Sequence, residues 1–291
     1  MCDGIINILK PTGMTSHDAV ARARKILGIK KIGHTGTLDP NVAGVMILTV
    51  GKATKLTEIL QASYKKYRCN MVFGKRTDSS DTYGKVINDG ARTDFSMDEL
   101  SLVFNSFIGQ STQIPSQFSA VKVGGKKLYN IARSGKEIPD IPQRNIFIKE
   151  ITILDFKDGE VTFDVTCSKG TYIRVLVDDI AKKLDTYAYV SWLIRIGLGD
   201  FEITKSKLID EITKEDIISL EELNINDAKK VILDDYMLKR FVNGLKVTVT
   251  YLKKFDYSKS GYYKVYDSKN NLVSIAQLVD GDLKNKVFLY R

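Results

Sequence analysis

The sequence predicts an α+β fold, with a mixed, largely antiparallel sheet flanked by helices and loops and a small β-rich unit after it. Three observations carry this. Strand-like segments arrive in neighbouring pairs, as at 146–156 and 161–167 around the turn Asp158-Gly159. Helical segments do not alternate regularly with strands, as a doubly wound fold requires. Past residue 246, strand-like pieces follow one another, with Asn270-Asn271 and Asp280-Gly281 as turns between them.

Taken in order, Ile5-Ile6-Asn7-Ile8-Leu9 reads as a strand, broken by Lys10-Pro11-Thr12-Gly13. Ser16 is a suitable N-cap for a helix over 17–27, and Gly28 is its natural stop. Residues 42–50 form an apolar run typical of a buried strand. Residues 64–73 alternate, placing Tyr67, Cys69, Met71 and Phe73 on one face. Ser96 and Glu99 have capping-box spacing ahead of a helix to about residue 107. Ile173, Val177, Ile180 and Leu184 recur at helical spacing, so a helix is predicted over 172–184. Two short helices over 214–220 and 220–223 precede a boundary near residue 230, dividing the chain into units 1–230 and 231–291. The second unit is read as a helix over 235–243 and strands at 246–252, 262–267, 272–278 and 286–290.

Length and composition bound the function. The 291 residues suffice for one large and one small unit, and 43% hydrophobic with 27% charged residues excludes a disordered chain. Lys and Arg outnumber Asp and Glu by 44 to 35, a net charge of +9 that favours a polyanionic partner. Cys2, Cys69 and Cys167 form no metal-binding spacing, and only His17 and His34 could join them, so no metal site is expected. No signal-peptide pattern and no membrane-length apolar run occurs, so the expected compartment is the cytoplasm, with no membrane partner. Val50-Gly51-Lys52-Ala53-Thr54 is not a P-loop, because the leading glycine is misplaced and Ala53 stands where Ser or Thr is needed.

The densest polar segment is Gly33-His34-Thr35-Gly36-Thr37-Leu38-Asp39-Pro40. Pro40 restricts Asp39 to extended geometry, so its carboxylate is aimed. Such an acid can serve as nucleophile or base. It can equally do no more than satisfy backbone amides of a turn.

That loop, followed by Ala43-Gly44, resembles the signature loop of the TruB family of tRNA pseudouridine synthases, bacterial type. The resemblance continues in order along the chain. Lys10-Pro11-Thr12-Gly13-Met14-Thr15-Ser16 precedes the loop, and Lys66-Tyr67 and Gly74-x-x-Thr77-Asp78-x-x-Asp81 follow it. Pro115-Ser116-Gln117-Phe118-Ser119-Ala120-Val121-Lys122, Gly125-Lys126-Lys127-Leu128-Tyr129 and Ala132-Arg133 come next. Cys167-Ser168-Lys169-Gly170-Thr171-Tyr172-Ile173-Arg174 completes the set. Departures are few: Met46-Ile47 lacks a proline common in the family, and Tyr83 replaces an acid before Gly84.

The resemblance implies a pseudouridine synthase core with a PUA-like C-terminal unit that binds RNA. It implies conversion of uridine 55 in the tRNA T stem-loop to pseudouridine, with no cofactor, no obligate protein partner and a monomeric enzyme. Asp39 becomes the catalytic carboxylate, Arg174 the guanidinium that favours its ionised form, and Asp81 the acid on the other side of that arginine. Tyr67 stacks on the flipped uracil and can take the C5 proton. Leu193 lines the same pocket or is plain core. His34 fills the space the uridine leaves. Lys10, Lys30, Lys31, Arg68, Lys126, Lys127 and Arg133 track phosphates, as do Lys122 and Arg144 beside them. A synthase for another RNA and a non-catalytic RNA-folding protein are the competing readings.

Overall fold

A computed structural model describes residues 3–116, 122–123, 125–128, 141–225, 227–248 and 261–289. The first strand, β1 (Gly4–Lys10), leads into helix α1 (Ser16–Leu27), then β2 (Ile32–His34) and β3 (Ala43–Val50). A short helix, α2 (Thr57–Gln61), comes before β4 (Lys65–Phe73). After a small hairpin at residues 76–88 come α3 (Met97–Asn105), β5 (Gly109–Gln113), β6 (Arg144–Lys157) and β7 (Glu160–Cys167). Helix α4 (Ile173–Lys183) then leads to β8 (Ala188–Leu198).

These strands form one mixed sheet in the order β1-β3-β8-β4-β7-β6-β5, with β2 on the edge of β3. Every neighbouring pair in that order is antiparallel except β3 with β8. The predicted fold class is therefore observed. Strand β8 had no sequence-based expectation, yet it sits at the centre. Gly44 lets β3 approach it, because a Cβ there would lie 2.2 Å from the Arg195 carbonyl oxygen.

β1 and β3 are buried along almost their whole length and mostly apolar, because both faces are covered. One face, with Ile6, Ile8, Met46 and Leu48, packs on Ala19, Ala23 and Leu27 of α1. The other, with Ile5, Val45 and Ile47, meets the C-terminal unit. Further along the sheet, Cys69, Met71 and Phe73 pack with Phe163 and Val165 against α3 and α4.

Two local expectations are corrected. Thr15, not Ser16, caps α1: its hydroxyl accepts from the Asp18 amide, and Asp18 returns the bond to the Thr15 amide. That leaves the Ser16 hydroxyl free for another task. The helices expected over 214–220 and 220–223 are a 3₁₀ turn, Lys214–Asp216, and a two-residue strand, Ile218–Ser219, paired to β1. The open edge of the sheet takes up the isoleucines that the helical reading used.

The C-terminal unit comprises β9 (Lys229–Ile232), α5 (Asp235–Val242), β10 (Tyr262–Tyr266), β11 (Leu272–Val279) and β12 (Asp282–Phe288). They make a four-stranded sheet in that order, with β9 parallel to β10. The strand expected at 286–290 runs instead over Asp282–Phe288, and most of the one expected at 246–252 lies outside the described residues. Ile275, Val287 and Leu289 of this unit bury against Leu56, Leu60 and Ile47 of the first. Among the described residues, no helix is long and apolar enough to cross a membrane.

Candidate active site

Asp39 lies in the loop between β2 and β3, and the N-terminal segment fixes that loop from below. The Ser16 hydroxyl accepts from the Leu38 amide at 2.9 Å and donates to the Leu38 carbonyl at 3.2 Å. The Gly13 amide donates to the Pro40 carbonyl at 2.9 Å. Lys10 is fully buried, and its ammonium donates to the carbonyls of Pro11 and Met14 at 2.7 Å each and of Pro40 at 3.3 Å. Lys10 is thus no phosphate contact, a correction to the sequence reading: its three donors are used on backbone carbonyls, two of the N-terminal segment and one of the loop. Burial lowers its pKa to about 8, and the Asp39 charge opposes that fall.

Arg174 occupies the first turn of α4. One arm donates to Asp39 Oδ2 at 2.9 Å; the other donates to the Ser79 carbonyl at 3.0 Å and stands 3.5 Å from Asp81 Oδ2. The arginine side chain is only 11% exposed while that of Asp39 is 52% exposed, so the guanidinium is the anchored partner and the carboxylate faces outward. Asp81 is itself oriented by the Ser79 hydroxyl at 2.6 Å and the Tyr83 amide at 3.0 Å. Its turn is pinned to the sheet, since Val190 of β8 donates to Ser80 and accepts from Thr82. The Ser80 hydroxyl adds a 2.6 Å bond to Asp178 on α4.

Above these groups is a cavity of about 110 Å³ whose walls include Asp39, Tyr67, Arg174 and Leu193. Tyr67 and Leu193 come from β4 and β8, the two strands paired at the sheet centre. Burial pushes the Tyr67 phenol up, while the neighbouring Arg195 pulls it down. A second cavity of about 420 Å³ adjoins the first across Asp39 and Arg174, with Asp81, Tyr83 and Trp192 on its walls. Asp39, Tyr67, Asp81, Arg174 and Leu193, distant in sequence, therefore meet in one place.

The remaining residues divide. His34 ends β2; its Nδ1 accepts from the Gly36 amide at 3.3 Å, and its ring meets His17 edge-on at 5.6 Å. Burial, then the His17 charge, lowers its pKa from the ordinary imidazole value. Lys30 and Lys31 are exposed ahead of β2. Arg68 is not brought to the site: it follows Tyr67 on β4 and points to the opposite face, where its fork binds both Asp164 oxygens at 2.8 and 3.1 Å. Lys126 and Lys127 form a two-residue strand against Lys122–Val123. Arg133 lies outside the described residues. The sequence reading missed Arg195, whose only signal was a cation inside the apolar run of residues 190–198.

Residues 24–173 match the family described as TruB family pseudouridylate synthase (N terminal domain). A relative from Caldanaerobacter subterraneus subsp. tengcongensis, named tRNA pseudouridine synthase B, is 41% identical over 275 residues, covering 94% of each chain.

The chain belongs to the TruB family.

Another relative of the same name, from Clostridium novyi, is 38% identical over 287 residues, covering 97% of this chain and 98% of the other. The fold is shared with the crystal structure of a Cbf5-Nop10-Gar1 complex at a TM-score of 0.72 and 24% identity, covering 100% of this chain and 86% of that one. In this TruB family member the carboxylate of the loop and the acid of the 76–88 hairpin converge on the arginine at the start of α4.

Proposed function

We propose that the protein is a tRNA pseudouridine synthase that isomerises uridine 55 in the T loop of tRNA. The observation that carries this reading is the half-exposed Asp39 carboxylate, held at 2.9 Å by a buried arginine on the wall of a small cavity. The N1–C1′ bond breaks, the uracil turns over within the cavity, and C5 bonds to C1′. The C5 proton leaves and N1 ends protonated, so the reaction is an isomerisation that balances without a cofactor. Asp39 acts first, by attack on the base, by attack on C1′ or by removing a proton at C2′. Arg174 holds its carboxylate aimed, through the 2.9 Å bond to Oδ2. Tyr67 and Leu193 are the walls against which the extruded uracil packs, and the Tyr67 oxygen is the base for the C5 proton.

RNA is gripped outside the cavity. His34 supports the gap left by the extruded nucleotide. Lys30, Lys31, Lys126, Lys127 and Arg133 supply phosphate contacts, which give affinity more than choice. The catalytic unit ends before β9 and the RNA-binding unit begins with it at Lys229, two residues ahead of the sequence boundary that gave 1–230 and 231–291, in a monomeric enzyme of the cytoplasm.

The test is tritium release from an unmodified tRNA T-arm stem-loop labelled at uridine C5, with purified protein and no added cofactor. Release confined to the uridine at position 55 is the expected result. Tight binding without release would overturn the enzyme reading in favour of an RNA-folding protein or a different RNA.

A further inference from the structure

Arg195 is the largest fully buried side chain among the described residues, at 1% exposure, and the proposed reaction has not used it. It lies on β8 at the register position opposite Tyr67 of β4, so the two side chains leave the sheet on the same face. Its Nε donates to the Val45 carbonyl at 2.7 Å and one terminal nitrogen to the Gly36 carbonyl at 3.5 Å. Gly36 belongs to the loop that carries Asp39, and Val45 to β3. Among the described residues no carboxylate lies within ion-pair distance of it. The charged and titratable groups that feel it are Lys10 from β1, Lys65 and Tyr67 from β4, and His34 at the head of the loop. Three of these four are bases.

A buried guanidinium without an anion is costly unless something electron-rich uses it. Two carbonyls use part of the fork, and the Tyr67 hydroxyl is the acidic group that faces it. We propose that Arg195 is a positioning residue for both halves of the site: it ties the Asp39 loop to the central strand and presents its charge to the Tyr67 oxygen. This inference rests on the proposed isomerase reading. It adds that Tyr67 acts as a base only because Arg195 stabilises the anion that its buried position opposes.

The test replaces Tyr67 by a fluorotyrosine in the full-length chain and follows its titration by ¹⁹F NMR in the free protein. Single-turnover tritium release and RNA affinity are measured on the same substitutions in the natural Tyr67 background. Arg195→Met is expected to move the Tyr67 titration to higher pH. It should slow single turnover about thirtyfold or more while RNA affinity stays within about threefold. Arg195→Lys, which keeps the charge and loses the fork, should recover most of the titration and part of the rate. An unchanged titration in folded Arg195→Met protein would overturn the proposal, because a merely structural role moves only the melting temperature. If Arg195→Met does not fold, Arg195→Lys decides: a titration and rate profile identical to wild type would overturn it equally. Absence of release from wild type would count against the isomerase reading, while the titration still judges Arg195.

Discussion

At the Asp39 loop, chain segments are joined by polar clamps. Lys10 holds three carbonyls, Ser16 both ends of the Leu38 peptide unit, and Arg195 the carbonyls of Gly36 and Val45. At the seam between the two sheets, Ile5, Val45, Ile47 and Leu60 simply pack against Ile275, Val287 and Leu289. Only a few lysine bonds cross that seam, such as Lys55 to the Phe288 carbonyl at 2.9 Å. The two joints do different work. Hydrogen bonds are directional and hold a carboxylate within tenths of an ångström, but their buried cations carry a desolvation cost. Aliphatic packing is non-directional and contributes stability in proportion to buried area. The loop is built for position and the seam for cohesion.

The sharpest way to break this contrast is at Arg174. Arg174→Met leaves Asp39 without its anchored partner and should lower the single-turnover rate by about 10²–10³, with RNA affinity little changed. Rapid-quench assays at saturating enzyme would show it. The opposite pattern is expected at the seam. Ile275→Ala removes a fully buried side chain and should cost about 2–5 kcal/mol in urea unfolding, with an unaltered rate for bound RNA. A slowed reaction there would mean that the seam positions the site after all.

Lys10 offers a test by pH. Its ammonium titrates at about 8 in the folded protein against 10.5 ordinarily. Between those values the unfolded chain keeps a proton that the folded one has released, so this group makes stability rise with pH from about 8 to 10.5. The clamp itself weakens over the same interval. The turnover rate should therefore fall above about pH 8 while the melting temperature gains from this group. Lys10→Met should be slower by about tenfold below about pH 8 and show no such fall above it, so that the two rates converge at high pH. The smallest effect belongs to the exposed cations. Lys30→Ala with Lys31→Ala should weaken RNA binding a few-fold and flatten its salt dependence by roughly 1.5–2 units of log–log slope, leaving chemistry intact.

The contrast also explains what could be read from the chain alone. Segments with one clean period were legible: the alternation of Tyr67, Cys69, Met71 and Phe73, the Ser96–Glu99 capping box, and the Gly28 stop, which takes φ 68°. Strand β8 was not, because Trp192 is apolar yet half-exposed and Arg195 is charged yet buried, so neither period dominates. The meeting of Asp39, Tyr67, Asp81 and Arg174 was expected from the ordered motifs alone. No local pattern encodes a 135-residue separation between Arg174 and Asp39. Lys10 and Arg68 were misread for the same physical reason. A lysine or arginine in sequence carries no mark of whether carbonyls and carboxylates will use its donors first. In the fold, three carbonyls took those of Lys10, and Asp164 took two of those of Arg68, whose side chain stays partly exposed.

The central claim is that Asp39 serves chemistry while the surfaces around it serve binding. The most direct measurement is single-turnover tritium release with T-arm RNA affinity determined on the same preparation of Asp39→Asn protein, beside wild type. The account expects release to vanish while affinity stays within about tenfold. Weak binding combined with normal turnover of the RNA that does bind would contradict it.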